Sequence, residues 1–189
     1  MDELINSLLK YNRLTKEDIE LIKSRVQVKI LKKGDFFLEA GKIAREIGFV
    51  NDGVLTVFFL NEEGEHITRA FIPKNHFALN MASFNSKKPS EVSFTSVAHS
   101  ELLVFSEKAI NELADAIPLW NPLIAQISLT VLGNKFKISD NMLKQDAKTR
   151  YLDFLKIYPG LANQIPLSAL ASYLGIRQSS LSRIRKNTI

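Results

Sequence analysis

The sequence predicts an α+β fold, with short antiparallel strands in its middle and helices at both ends. Three observations carry this prediction. Between Val26 and Ser106 the apolar residues recur in short runs, several with period two, and turn signals separate them. At Ser106 the period becomes helical and stays so for the rest of the chain. Residues 135–189 hold ten Lys/Arg against three acidic side chains, whereas residues 1–134 hold fifteen against seventeen. The basic charge therefore lies in the helical end, an asymmetry suited to a polyanionic partner.

Bulk composition narrows the class. A chain of 189 residues with 46% hydrophobic and 24% charged residues can bury one large core or two modest ones. No apolar run reaches the ~18 residues that a membrane-spanning helix needs. The start, MDELINSLLKYNRL, is acidic and amphipathic, unlike the basic-then-apolar layout of a signal peptide. The absence of cysteine excludes disulfides, thiolate nucleophiles and cysteine-held metal or iron–sulfur sites. A cytoplasmic location is the expectation.

Each element follows from a local signal. Residues 2–24 read as one or two helices, with Leu4, Ile5, Leu8 and Leu9 on one face and Thr15 as an N-cap. VQVKIL then alternates from Val26. KKGD (32–35) and NDG (51–53) are turns, and NEEGE joins VLTVFFL (54–60) to HITRAFI (66–72) as a hairpin. SFTSVAH (93–99) and ELLVFS (101–106) continue the strands. Their close spacing favours a sandwich or barrel over βαβ units. SEKAINELADAIP is a helix that ends near Pro118.

A long helix follows, from about Leu119 to Leu143. Trp120, Ile124, Ile127, Val131 and Ile138 repeat at roughly four-three spacing, with Asn134 in one apolar slot. One reading is a seam between two subunits, in which Asn134 fixes the register. The other is a helix packed on its own domain. AKTRYLDFLKIYPG gives a further amphipathic helix, stopped by Pro159-Gly160.

The most patterned stretch is LSALASYLGIRQSSLSRIRK (167–186). Ser168 is a candidate cap, Leu170, Ala171 and Leu174 an inner face, and Gly175 a helix end in the left-handed conformation. Ile176, Leu181 and Ile184 supply the apolar contacts of the turn and of a second helix. That helix turns Gln178, Ser179, Ser182, Arg183 and Lys186 outward. This is the layout of a helix-turn-helix, whose second helix fits a DNA major groove. There Arg can pair with guanine edges and Gln with adenine edges, while hydroxyls and Lys hold phosphates. The DNA-contact candidates are Arg177, Gln178, Ser179, Ser180, Ser182, Arg183 and Lys186.

LKKGDFFLEAGKIAREIGFVNDGVLTVF, with Gly34, Gly41 and Gly53 at its turns, and ASYLGIRQSSLSRIRK together make nearly the whole chain resemble the Crp/Fnr family of bacterial transcription regulators. The resemblance implies an N-terminal antiparallel β-roll, jelly-roll-like and of the cyclic-nucleotide-binding type, with flanking helices (residues 1–117). A long dimerisation helix (118–143) and a helix-turn-helix domain (144–189) follow. It implies a homodimer on double-stranded DNA, with a small-molecule effector and RNA polymerase as further partners. The family holds a cyclic nucleotide with a Gly-Glu pair at the ribose and an Arg-Ser pair at the phosphate. Here Leu79-Asn80 and Ser90-Glu91 stand in those places. A carboxylate beside the phosphate position repels phosphate, Lys87 and Lys88 offer partial compensation, and cyclic AMP control is not expected.

Two further departures concern haem and DNA. A haem-sensing variant needs an axial ligand, and His66, His76 and His99 read as rim or surface residues. Family members that read a guanine-containing core carry Arg-Glu and a later Arg on the second helix. Gln178-Ser179 replaces the first pair and Arg183 matches the later Arg. Three residues, NTI, follow Lys186, so a full wing hairpin is not expected.

The competing reading is a small-ligand-binding or protein-interaction module whose helical tail no longer engages DNA. An enzyme fits least, and no catalytic or metal-ligating residue is nominated. Metal-ligand spacing, a phosphate-cradling glycine loop and a serine elbow are all missing, and Glu62, Glu63 and Glu65 cluster in a turn without a partner.

Overall fold

The structure is a computed structural model that describes residues 1–187; the side chains at 135, 137–139 and 141–143 lie outside the described set, Ile138 among them. Two short helices open the chain, α1 (Asp2–Leu9) and α2 (Lys16–Arg25). Thr15 caps α2 through a capping box: its hydroxyl accepts from the Asp18 amide, and the Asp18 carboxylate accepts from the Thr15 amide.

Eight strands then form two antiparallel sheets, as the short alternating runs predict. They are β1 (Gln27–Leu31), β2 (Phe36–Leu38), β3 (Glu46–Asp52), β4 (Val54–Leu60), β5 (His66–Pro73), β6 (Phe77–Ala78), β7 (Ser93–Ser96) and β8 (Ser100–Ser106). One sheet has the order β1-β8-β3-β6, the other β2-β7-β4-β5. Their inner faces share one core that includes Phe49, Leu55, Phe94, Leu102 and Phe105. Gly53 turns the chain between β3 and β4 at φ +89°, and a Cβ there would sit 2.2 Å from the Ser100 hydroxyl oxygen. Only glycine satisfies both the backbone and the space at this corner. The six-residue α3 (Met81–Ser86) between β6 and β7 escapes sequence reading. It is too short to show a helical period and is held by Asn80 as its cap, whose side-chain oxygen accepts from the Ser83 amide.

Helix α4 (Glu107–Ala116) is capped by Ser106 and leads into the long α5 (Trp120–Lys144). Here the structure corrects the sequence expectation. Trp120, Ile124 and Ile127 are 0%, 7% and 0% exposed because they fill the β-roll's own core beside Phe105 and Leu113. They do not form a seam with a second subunit, and the core reaches past the expected boundary at residue 117. Val131 is half-buried and Asn134 exposed. The unpartnered apolar face of α5 is a different one: Leu129, Leu132 and Phe136 are 67%, 49% and 65% exposed.

The C-terminal unit comprises α6 (Ala147–Ile157), a 3-10 turn at Leu161–Asn163, α7 (Leu167–Tyr173) and α8 (Gln178–Lys186). Asp146 caps α6 by accepting from the Thr149 amide, and this bond holds its carboxyl below the usual carboxylate range. A second core of Tyr151, Phe154, Leu161, Leu170, Tyr173 and Leu181 holds these helices together. It also takes in Val54 and Phe71 from the roll, with Phe71 edge-on to Phe154 at 6.0 Å and tilted against Tyr173 at 5.3 Å. The helical unit is therefore docked on the edge strand β5.

Candidate functional site

Helices α7 and α8 have the predicted helix-turn-helix form. Leu170, Ala171, Leu174 and Leu181 are at most 2% exposed, and Gly175 takes φ +65° at the turn. The cap differs from expectation: α7 starts after Pro166, and Ser168 lies inside the helix. Pro166 occupies the N-cap position itself and has no side-chain acceptor, so α7 starts without a side-chain cap.

The nominated DNA contacts differ in exposure. Arg177, Gln178, Ser179, Arg183 and Lys186 are exposed, and Ser180 and Ser182 are half-buried. Arg183 has no side-chain partner among the described residues, so its guanidinium is free to donate. Arg185 differs: it is half-buried and turns back to the 3-10 segment, where its guanidinium donates to the Asn163 side-chain oxygen at 3.4 Å. The last turn of α8 thus sorts its cations, one facing inward and two presented to solvent.

A second feature is a cleft of about 1030 Å³ bounded by the roll, α5 and α7. All four cassette residues nominated from sequence, Leu79, Asn80, Ser90 and Glu91, line it. The Asn80 amide nitrogen donates to the Ser90 hydroxyl at 2.9 Å, and that hydroxyl donates to the Val92 carbonyl at 2.6 Å. Ser83 accepts from the Ala44 amide and donates to the Lys88 carbonyl. The cassette is thus bonded to itself. Lys87, expected to help replace the missing arginine, points elsewhere: it lies over Phe84 at 4.4 Å and bonds Glu107 at 2.6 Å. That hydrogen bond holds the Glu107 carboxyl below its ordinary range. Lys88 does line the cleft.

Sequence reading missed two contributors to this cleft. Arg69 reaches it from the point where the β4–β5 register shifts: Val57 faces Ala70 and Phe58 faces Thr68, leaving Arg69 as the extra residue. Ser172, Tyr173 and Gly175 close the cleft from the helix-turn-helix side. Apolar alternation runs on through β5 and hides the bulge, and docking between residues 104 apart leaves no local signal.

The histidines hold ordinary places. His66 stacks on Phe58 at 4.3 Å, and the His76 ring lies 2.9 Å from the Lys74 carbonyl. No helix among the described residues is long and apolar enough to cross a membrane.

Comparison with known proteins follows the same division. Residues 28–116 match the family model described as cyclic nucleotide-binding domain. No curated protein sequence matches the chain. Among solved structures, FixK2 from Bradyrhizobium japonicum superposes with a TM-score of 0.73 at 12% identity, covering 86% of this chain and 83% of its own. The c-di-GMP responsive global regulator CLP from Xanthomonas campestris gives 0.70 at 15% identity, covering 92% and 91%. The catabolite activator protein of Thermus thermophilus gives 0.60 at 21% identity, covering 96% and 85%. Residues 28–116 are thus similar to a cyclic nucleotide-binding domain, and the chain shares its fold with these three solved structures.

Proposed function

We propose that this chain is a cytoplasmic, homodimeric, sequence-specific DNA-binding transcription regulator of the Crp/Fnr type. The observation that carries this reading is the free outer face of α8, with Arg183 exposed and uncommitted above a fully packed inner face. A helix held in this way matches a major groove in width and polarity. In this reading Arg183 contacts a base edge, while Lys186, Arg177 and the serines hold phosphates.

The dimer seam we propose is the outer stripe of α5. Ala125, Leu129, Leu132 and Phe136 recur at spacings of four, three and four, and all are exposed in the single chain. That spacing fits a left-handed pairing with a second copy of the same helix. Tight control by cyclic AMP does not fit the self-bonded cassette, with Glu91 beside the place of the family's phosphate-binding arginine and Lys87 turned to Glu107.

Hydroxyl-radical footprinting on a bound genomic fragment tests the geometry. The expected pattern is two protected patches on one face of the duplex, about 34 Å or one helical turn apart. A single patch, or uniform protection along the fragment, contradicts the paired-reader arrangement.

A further inference from the structure

Resting on the regulator reading above, we propose that the cleft between the cassette, α5 and α7 takes a small molecule with an apolar body and a single anionic group. Arg69 holds the anion, and the DNA-reading domain itself forms one wall, so the occupant acts on that domain by contact.

Five serines line the cleft, and each commits its only hydroxyl proton within the chain. Ser83 donates to the Lys88 carbonyl, Ser86 to Ala82, Ser90 to Val92, Ser128 to Ile124 and Ser172 to His66. The Asn80 amide donates to Ser90. A polyhydroxylated or multiply charged ligand would find these donors already engaged and would have to break a bond within the chain to recruit each one. Ordinary cations are what remain. Arg69 and Lys88 line the cleft, and neither is in a salt bridge among the described residues. One anion, Glu91, opposes them, which leaves a balance of one positive charge. Arg69 is also positioned, laid over the Phe59 ring at 4.7 Å. The rest of the lining is largely aliphatic or aromatic: Val57, Leu79, Phe94 and Val131, with Leu129 and Leu132 of the proposed seam at its α5 edge. Such a lining with one uncompensated cation suits a monoanion on an apolar body.

Arg69 is the bulged residue of β5, and its neighbour Thr68 donates its amide to the Ser172 hydroxyl of α7 at 2.9 Å. The Ser172 hydroxyl in turn donates to the His66 carbonyl at 3.3 Å. One α7 hydroxyl therefore occupies a strand edge beside the anion-holding residue. Tyr173 and Gly175, at the helix-turn-helix corner, face the same space. An occupant bound at Arg69 touches the roll, the long helix and the reader together, and its affinity depends on the reader's position. Ligand and DNA are thereby coupled, and the coupling is reciprocal.

The experiment uses the full chain with decanoate, decan-1-ol and cyclic AMP as probes, below micelle concentrations. Calorimetry should show saturable decanoate binding, with decan-1-ol weaker by about tenfold or more and cyclic AMP weaker still. Arg69→Ala should remove the decanoate advantage and leave decan-1-ol unchanged, while Arg69→Lys keeps part of it. Arg69 is exposed, so circular dichroism should show both variants folded. Decanoate should slow amide exchange over residues 168–175 and change affinity for the preferred duplex, and the duplex should change decanoate affinity by the same factor. Equal binding of decanoate and decan-1-ol, or of decanoate to wild type and Arg69→Ala, overturns the anion assignment. Saturable binding without altered exchange at 168–175 overturns the reader wall. Absence of decanoate binding in a chain that still selects DNA overturns this inference and spares the regulator reading. Decanoate binding with slowed exchange in a chain that ignores DNA sequence does the reverse.

Discussion

Replacing Leu129, Leu132 and Phe136 together with glutamate should produce a folded monomer that binds DNA about 100-fold or more weakly, because one reader then works without its tethered twin. All three side chains are exposed in the single chain, so each change should leave monomer stability within about 0.5 kcal/mol. The charges fall on the proposed seam, where like charges from two copies would face each other without water. Sedimentation and denaturant unfolding separate the two effects. Ile127→Ala supplies the contrast. Ile127 is 0% exposed in the roll's core, and its truncation should cost about 2–5 kcal/mol of stability. If the triple variant stays dimeric, α5 pairs through some other surface.

Arg183→Ala and Lys186→Ala should weaken DNA binding in different ways. Both residues are exposed on the same face of α8, but Arg183 has the fork that can grip a base edge. Its loss should relax preference at one position of each half-site by about 1–3 kcal/mol. Loss of Lys186 should weaken binding to all sequences alike and reduce the slope of affinity against salt by about one counterion per contact. Arg185→Ala gives a third pattern, since Arg185 turns inward to Asn163. Binding to a randomised operator library at several salt concentrations reads all three. A uniform loss from Arg183→Ala would remove it from base contact.

The helix-turn-helix was legible because its determinants are local. Small Ala171, the left-handed Gly175 and the buried Leu181 lie within one short stretch, and the structure uses each as expected. The strands were legible from alternation, and the cassette positions Leu79, Asn80, Ser90 and Glu91 do converge on one cleft. The long helix was misread for an identifiable reason. It carries two apolar stripes of similar spacing, one through Trp120, Ile124 and Ile127, the other through Leu129, Leu132 and Phe136. Sequence does not say which stripe the roll claims. The bulkiest side chain, Trp120, goes to the roll, where it stacks edge-on to Phe105 at 5.5 Å. The wall that α7 adds to the cleft was not legible, because it depends on how one domain docks on the edge of another.

The central claim is that the outward face of α8 reads a base sequence. Selection of duplexes from a random library, followed by competition of the selected site against random DNA at about 0.1 M salt, tests it most directly. The account predicts a palindromic site preferred by about 1000-fold or more. A dimer that selects no site, and binds selected and random duplexes with equal affinity, contradicts it.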